Sequence, residues 1–168
     1  GAPRTPGVRP SPGSMKSLKV ADYEAIAKLD GVKAASPMTN GGYVVIYQNK
    51  NWTTSVSGVN ANYLDVNNWT MKSGRFLSEK NVQNRERVAV VGKTVVKNLF
   101  GDEDPVGKEI RVKNIPFRII GVLNSKGSGA MGNDQDDMVI IPYTTAMERV
   151  DGIDYLRMIY VVGKDENG

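Results

Sequence analysis

The chain has 168 residues, 40% of them hydrophobic and 24% charged, with 22 Lys and Arg against 18 Asp and Glu and a formal net charge of +4. That length can bury a core as one domain or two small subdomains, and its dispersed charges lack the clustered basic face of a nucleic-acid surface. With no cysteine and no histidine, thiol nucleophiles, Cys-rich zinc sites, disulfides and Ser–His–Asp triads are excluded, which leaves carboxylates, lysines and hydroxyls for any chemistry.

Residues 1–17 begin with a run rich in Pro, Gly and Arg without apolar periodicity, which predicts an extended linker or tail. A helix is expected over about 20–29, with Val20, Tyr23, Ile26 and Ala27 on one face and Gly31 after its end. Tyr43 to Tyr47 and Thr53 to Val59 are β-rich and separated by Gln48-Asn49-Lys50-Asn51, a hairpin signal. The segment 71–87 is polar and reads as turns. Val88 to Val91 is an apolar β-type run that enters a helix over Lys93 to Leu99. That helix should stop at Gly101, where a residue without Cβ adopts a left-handed C-cap cheaply. Asp104-Pro105 continues the exit, because proline disfavours helix at the residue before it. Gly107 supplies a turn, and two strands, Glu109 to Val112 and Pro116 to Leu123, follow as a hairpin. Gly121, inside an otherwise apolar run, predicts a bulge or a close backbone approach. A third helix is expected over 144–150 and a last strand over 158–162. Strands outnumber helices and are mostly hairpin-linked, so the reading is α+β with a mixed, mostly antiparallel sheet.

Three stretches imitate functional motifs. Gly92-Lys93-Thr94 resembles the end of a P-loop, but the first glycine of that motif would fall at Arg87, so a strand-to-helix turn is the better reading and no nucleotide is expected. Gly127-Ser-Gly129-Ala-Met-Gly132 spells GxGxxG, yet it leads into acidic residues and another β run instead of a helix, which predicts a Gly-rich mobile loop. Asp134, Asp136 and Asp137 offer oxygen ligands, but the central glycine and distal Glu of a calcium loop are missing, so a solvated acidic loop is expected and no metal or other cofactor. No apolar run approaches the roughly 20 residues needed to cross a bilayer, and no signal-peptide pattern is visible. Both are compatible with an excised ectodomain.

The punctuation of Val88 to Leu123 (Leu99-Phe100-Gly101, Asp104-Pro105-Val106-Gly107-Lys108, Phe117-Arg-Ile-Ile-Gly121-Val-Leu123) resembles the periplasmic core domain of MacB-type ABC transporter permeases, a group with FtsX-like and LolC-like relatives. Five further segments match in order: Leu18 to Pro37, Ser57-Gly58-Val59-Asn60 through Leu64, Met71 to Phe76, Ile140 to Ala146, and Met158 to Val162. The resemblance implies a partial porter-like βα subdomain over 18–36 and 158–168 and an inserted, β-rich, Sabre-like subdomain over 37–157. The porter-like part would be incomplete, so the face carrying Val20, Tyr23 and Ile26 would be loosely held or drive self-association.

The same resemblance implies the function. It describes a non-catalytic module on the extracytoplasmic face of the bacterial inner membrane, belonging to a permease that dimerises and hydrolyses ATP in a separate domain. The module would pass conformational change outward for export of macrolide, peptide or lipoprotein-type cargo and contact a periplasmic adaptor. Asn49, Asn51, Trp52, Lys126, Asp134, Asp136 and Asp137 are the candidate contact residues, chosen as exposed loop groups. Rival readings are an FtsX-like activator of cell-wall hydrolases, a small-ligand sensing domain with a pocket of convergent polar groups, and a hydrolase with two carboxylates facing one cleft.

Overall fold

The computed structural model describes residues 18–126, 135–152, 156 and 158–163. Its elements are helix α1 (Val20–Ala27), strands β1 (Val32–Tyr47) and β2 (Lys50–Val59), helix α2 (Tyr63–Val66), β3 (Met71–Gly74), α3 (Glu79–Gln83), β4 (Val88–Val91), α4 (Lys93–Leu99), β5 (Glu109–Val112), β6 (Ile115–Leu123), β7 (Met138–Pro142), α5 (Tyr143–Thr145) and β8 (Met158–Gly163). A π-helical stretch, Ala146–Asp151, continues α5 and ends at Gly152 in the left-handed conformation. The class is α+β with a mixed, mostly antiparallel sheet, as the sequence predicts; only β2–β7 and β4–β6 run parallel.

Strand pairing closes part of this sheet into a ring. β1 pairs with β2 along Thr39–Tyr47, β2 with β7, β7 with β4, β4 with β6, β6 with β5, and β5 with β1 at Val45 and Ile46. The result is a six-stranded barrel. Side chains that alternate inward fill it, as in other small barrels: Val45, Val56, Ala89, Val91, Ile110, Val112, Phe117, Ile119, Val139 and Ile141 are all buried in one cluster. Val95, Leu99 and Phe100 join that cluster from α4 and its cap, and Ala146 and Val150 join it from the π-helical stretch. The outer faces of β4, β6 and β7 are covered as well, where Val88, Val90, Ile120, Leu123 and Ile140 pack with Tyr63, Trp69 and Leu77. Burial on both faces explains why Val88 to Val91 is apolar without alternation.

The two glycines singled out in the sequence do what their positions suggested. Gly101 has φ +62 and donates its N–H to the Val96 carbonyl, ending α4. At Gly121 the β4–β6 register slips, since Ala89 faces Ile119 while Val90 faces Gly121, leaving Ile120 as a bulge. β3 and the Arg75 backbone cross this point, with Arg75 N–H donating to the Ile120 carbonyl at 2.9 Å.

The structure differs from expectation in three places. β1 is one 16-residue strand that runs through Pro37 and Gly41-Gly42. Of this strand the composition marks only Tyr43 to Tyr47 as β-rich, and proline and paired glycines are poor strand formers. The β1–β2 turn is tighter than the four residues expected, with Lys50 already paired to Tyr47 and Gln48 at φ 56. The segment read as turns contains β3 and α3. Ser78 and Asn81 start α3 by reciprocal capping: Ser78 Oγ accepts from Asn81 N–H at 3.1 Å and Asn81 Oδ1 accepts from Ser78 N–H at 2.9 Å. With Asn in place of the usual Glu or Gln, that box is hard to see in sequence.

The first part of β1 leaves the barrel and pairs instead with β8, from Val32↔Gly163 to Met38↔Met158. Helix α1 lies against this arm with none of its residues fully buried. Val20 and Tyr23 pack on a small cluster of Val82, Tyr143 and Leu156.

Candidate functional site

The candidate contact residues fall into two groups in space. Asn49 and Asn51 are exposed at the tip of the β1–β2 hairpin. Behind that tip, Trp52 Nε1 donates to Asp137 Oδ1 at 2.8 Å, and Thr54 Oγ1 donates to the same oxygen at 2.6 Å. Parallel pairing of β2 with β7 begins one residue later at Ser55↔Met138, which is why Asp137 arrives beside these donors. The structure thus joins two candidates, Trp52 and Asp137, that lie 85 positions apart.

Lys126 and Asp136 are also engaged by the protein itself. Asp136 is 5% exposed, and its carboxylate accepts from Ser125 Oγ at 2.6 Å and from Lys126 N–H at 2.8 Å. Lys126 Nζ donates to the Asn67 carbonyl at 2.5 Å and stands 4.4 Å from the Trp69 ring centroid, a cation–π distance. Asp134 and the GxGxxG stretch lie outside the described residues. The Gly92-Lys93-Thr94 turn is likewise committed internally, with Gly92 N–H donating to the Met138 carbonyl and Thr94 N–H to the Asp136 carbonyl. Among the described residues no group of three acidic side chains is placed to share a metal ion.

Two surface clefts among the described residues bear on these groups. One, of about 560 Å³, lies beside the hairpin and is lined by Ile46, Gln48, Lys108, Glu109, Arg111 and Asn114. The other, of about 310 Å³, lies between α1, α3 and α5 and includes Tyr23, Glu24, Asn60, Glu79 and Tyr143. The second places two carboxylates on one cleft, the condition set for a carboxylate-dependent hydrolase, but both belong to exposed side chains.

Buried phenols make stability sensitive to alkali. Burial pushes Tyr63 and Tyr143 up from 10.0 to about 12, and at Tyr43 burial and its hydrogen bond to Asp151 do the same. A phenol whose pKa is raised by folding contributes stability in full below its unfolded value and loses it as pH climbs through the folded one. The denaturant midpoint should therefore hold up to about pH 9.5 and fall between about pH 10 and 12. A Tyr63→Phe variant should show a shallower fall in the same titration.

Residues 2–167 match the family model described as the MacB-like periplasmic core domain, and the chain belongs to that family. That domain is an extracytoplasmic region of MacB-like membrane permeases. The chain is 44% identical to a macrolide export ATP-binding/permease protein MacB from Rhodospirillum rubrum over 92% of its own length and 24% of that protein's. It is 37% identical to the MacB protein of Marinobacter nauticus over 97% of its length and 25% of the relative's. It therefore spans about a quarter of the curated relatives it matches. Among solved structures, the periplasmic region of MacB from Actinobacillus actinomycetemcomitans superposes with a TM-score of 0.80 at 27% identity, covering 94% of this chain and 72% of that one. The extracellular domain of the ABC-type transporter YknZ from Gram-positive bacteria shares the fold, with a TM-score of 0.79 at 19% identity over 94% of this chain and 81% of that one.

Proposed function

We propose that this domain is the transmission element of a dimeric export permease. It would couple ATP hydrolysis in a separate cytoplasmic domain to movement outside the membrane, with macrolide, peptide or lipoprotein-type cargo and a periplasmic adaptor as partner. The observation that carries this reading is the continuity of β1. One strand of 16 residues, about 50 Å long at ~3.3 Å per residue, pairs first with β8 and then closes the barrel. A displacement applied to the α1–β1–β8 arm would reach the barrel through a hydrogen-bonded strand instead of a loop. The division into a porter-like part over 18–36 and 158–168 and a Sabre-like part over 37–157 is proposed on the same ground, since pairing changes partner at Met38–Thr39. The exposed hairpin tip at Asn49 to Asn51 is the contact we assign to the adaptor, with the Trp52–Asp137 hydrogen bond bracing it from behind.

Two glycines inserted between Met38 and Thr39 in the parent permease should leave ATP hydrolysis in place and abolish most export, measured by drug accumulation in cells. Full export with the insertion present and the domain folded would overturn the transmission reading.

A further inference from the structure

The cleft between α1, α3 and α5 combines aromatic, amide and acidic side chains. Its floor is polar and fixed. Asn60 is 5% exposed, and its Oδ1 accepts from Ser36 Oγ and from Asn62 N–H, both at 3.2 Å. With that oxygen held, Asn60 Nδ2 must face the other way, and it donates to the Tyr23 hydroxyl at 2.7 Å. The Tyr23 and Tyr143 rings meet edge to face at 6.1 Å. The Tyr143 side chain is nearly buried, at 8% exposure, and its hydroxyl has no hydrogen-bond partner among the described residues. Glu24 of α1 and Glu79 of α3 flank the opening, with Lys28 the cation on the same rim. Both carboxylates act on both phenols: burial raises Tyr143 most, then Tyr23, Glu24 and Glu79 add to it, and after burial Glu79 and Glu24 also raise Tyr23. At Tyr23 the hydrogen bond from Asn60 acts in the opposite direction, and the two carboxylates face a single cation, Lys28, among the residues lining the cleft.

We propose that this cleft binds an alkylammonium group, which donates to the Tyr143 hydroxyl oxygen and to the Glu24 and Glu79 carboxylates. An ammonium carries three donors and no acceptor, which matches three acceptors, two of them charged, beside two aromatic rings. A cleft of about 310 Å³ accommodates a linear amine. The site has a consequence for the fold. α1 has no fully buried residue, so a cation that bridges Glu24 on α1 to Glu79 on α3 would fasten the helix to the barrel body. This inference stands independently of the transport reading.

The test is a titration of the 168-residue chain with putrescine, and separately with N-acetyl-lysine methylamide, at constant ionic strength held by potassium chloride. Binding is followed by amide chemical shifts and calorimetry. The expected result is saturable binding, with shifts centred on Tyr23, Asn60, Glu79 and Tyr143. Glu24→Gln combined with Glu79→Gln should weaken it at least about tenfold, and Tyr143→Phe several-fold. Tighter binding of putrescine would identify the source as a free amine, and tighter binding of the lysine mimic as a protein side chain; either supports the site. No saturation by about 10 mM, well beyond the weakest affinity such contacts should give, or binding unchanged in the double Gln variant, would overturn it. The Glu positions are exposed, so the double variant should remain folded, which its circular dichroism checks.

Discussion

Gly121→Ala should destabilise this domain by about 3 kcal/mol or more, at the upper end of what overpacking costs, read as a shift in the denaturant midpoint. A Cβ at this position would fall well inside contact distance of the Arg75 carbonyl and of the Met71 methyl. The methyl can move, but the carbonyl cannot move freely. The Arg75 N–H is bonded to the Ile120 carbonyl and β3 is paired with β6 at the same point. Gly101→Ala supplies the contrast. A Cβ there meets nothing within 4 Å, so only the left-handed φ opposes it, at about 1 kcal/mol. If the two variants cost the same, the crossing of β3 over the β6 bulge does not have the tightness described.

Phe117→Ala should cost about 3–5 kcal/mol, the sum of lost burial and the cavity left behind. Among the described residues Phe117 is the largest fully buried side chain, and it projects from β6 into the barrel cluster beside Ile110, its β5 partner. Closure makes the cavity hard to collapse, because each wall strand is hydrogen-bonded on both sides and cannot slide inward alone. At about 2–4 °C per kcal/mol for a domain of this size, the melting temperature should drop by about 6–20 °C. Leu29→Ala, at a residue 57% exposed, should move stability by no more than about 0.5 kcal/mol. A drop at Phe117 no larger than that at Leu29 would show that the barrel interior is not the dominant core.

Much of this architecture was written locally. α4 spans the residues its periodicity gave, and Gly101 and Gly121 sit at the cap and bulge that an achiral residue permits. Capping and turn chemistry act over a few positions, so they survive in sequence. The closure of the ring did not. It depends on β1 meeting β5 and on β2 meeting β7, and no short-range pattern records which distant strands share hydrogen bonds. The rest of β1 was not legible for a related reason: Pro37 and Gly41-Gly42 are poor strand formers, and only pairing with β8 and β2 holds them extended. At the candidate contacts, choosing loop polar groups found the exposed Asn49 and Asn51. It could not foresee that Trp52, Lys126, Asp136 and Asp137 would spend their polar atoms within the molecule, since each meets a partner remote in sequence. The cleft residues were missed entirely. Tyr23 reads in sequence as part of an apolar face, Glu79 and Tyr143 come from α3 and α5, and Asn60 lies in the turn after β2.

Ring closure also fixes an order of events during synthesis. The β1–β2 hairpin can form as soon as residue 59 is available, but its outer sides stay without partners until β5 and then β7 have been made. The ring is completed only when Met138–Pro142 joins both β2 and β4. Pairings of such long sequence separation are slow to form and leave the waiting strands open to wrong partners. Destabilising changes in β7, such as Ile140→Ala, should therefore harm the yield of folded protein more than equally costly changes in the early hairpin.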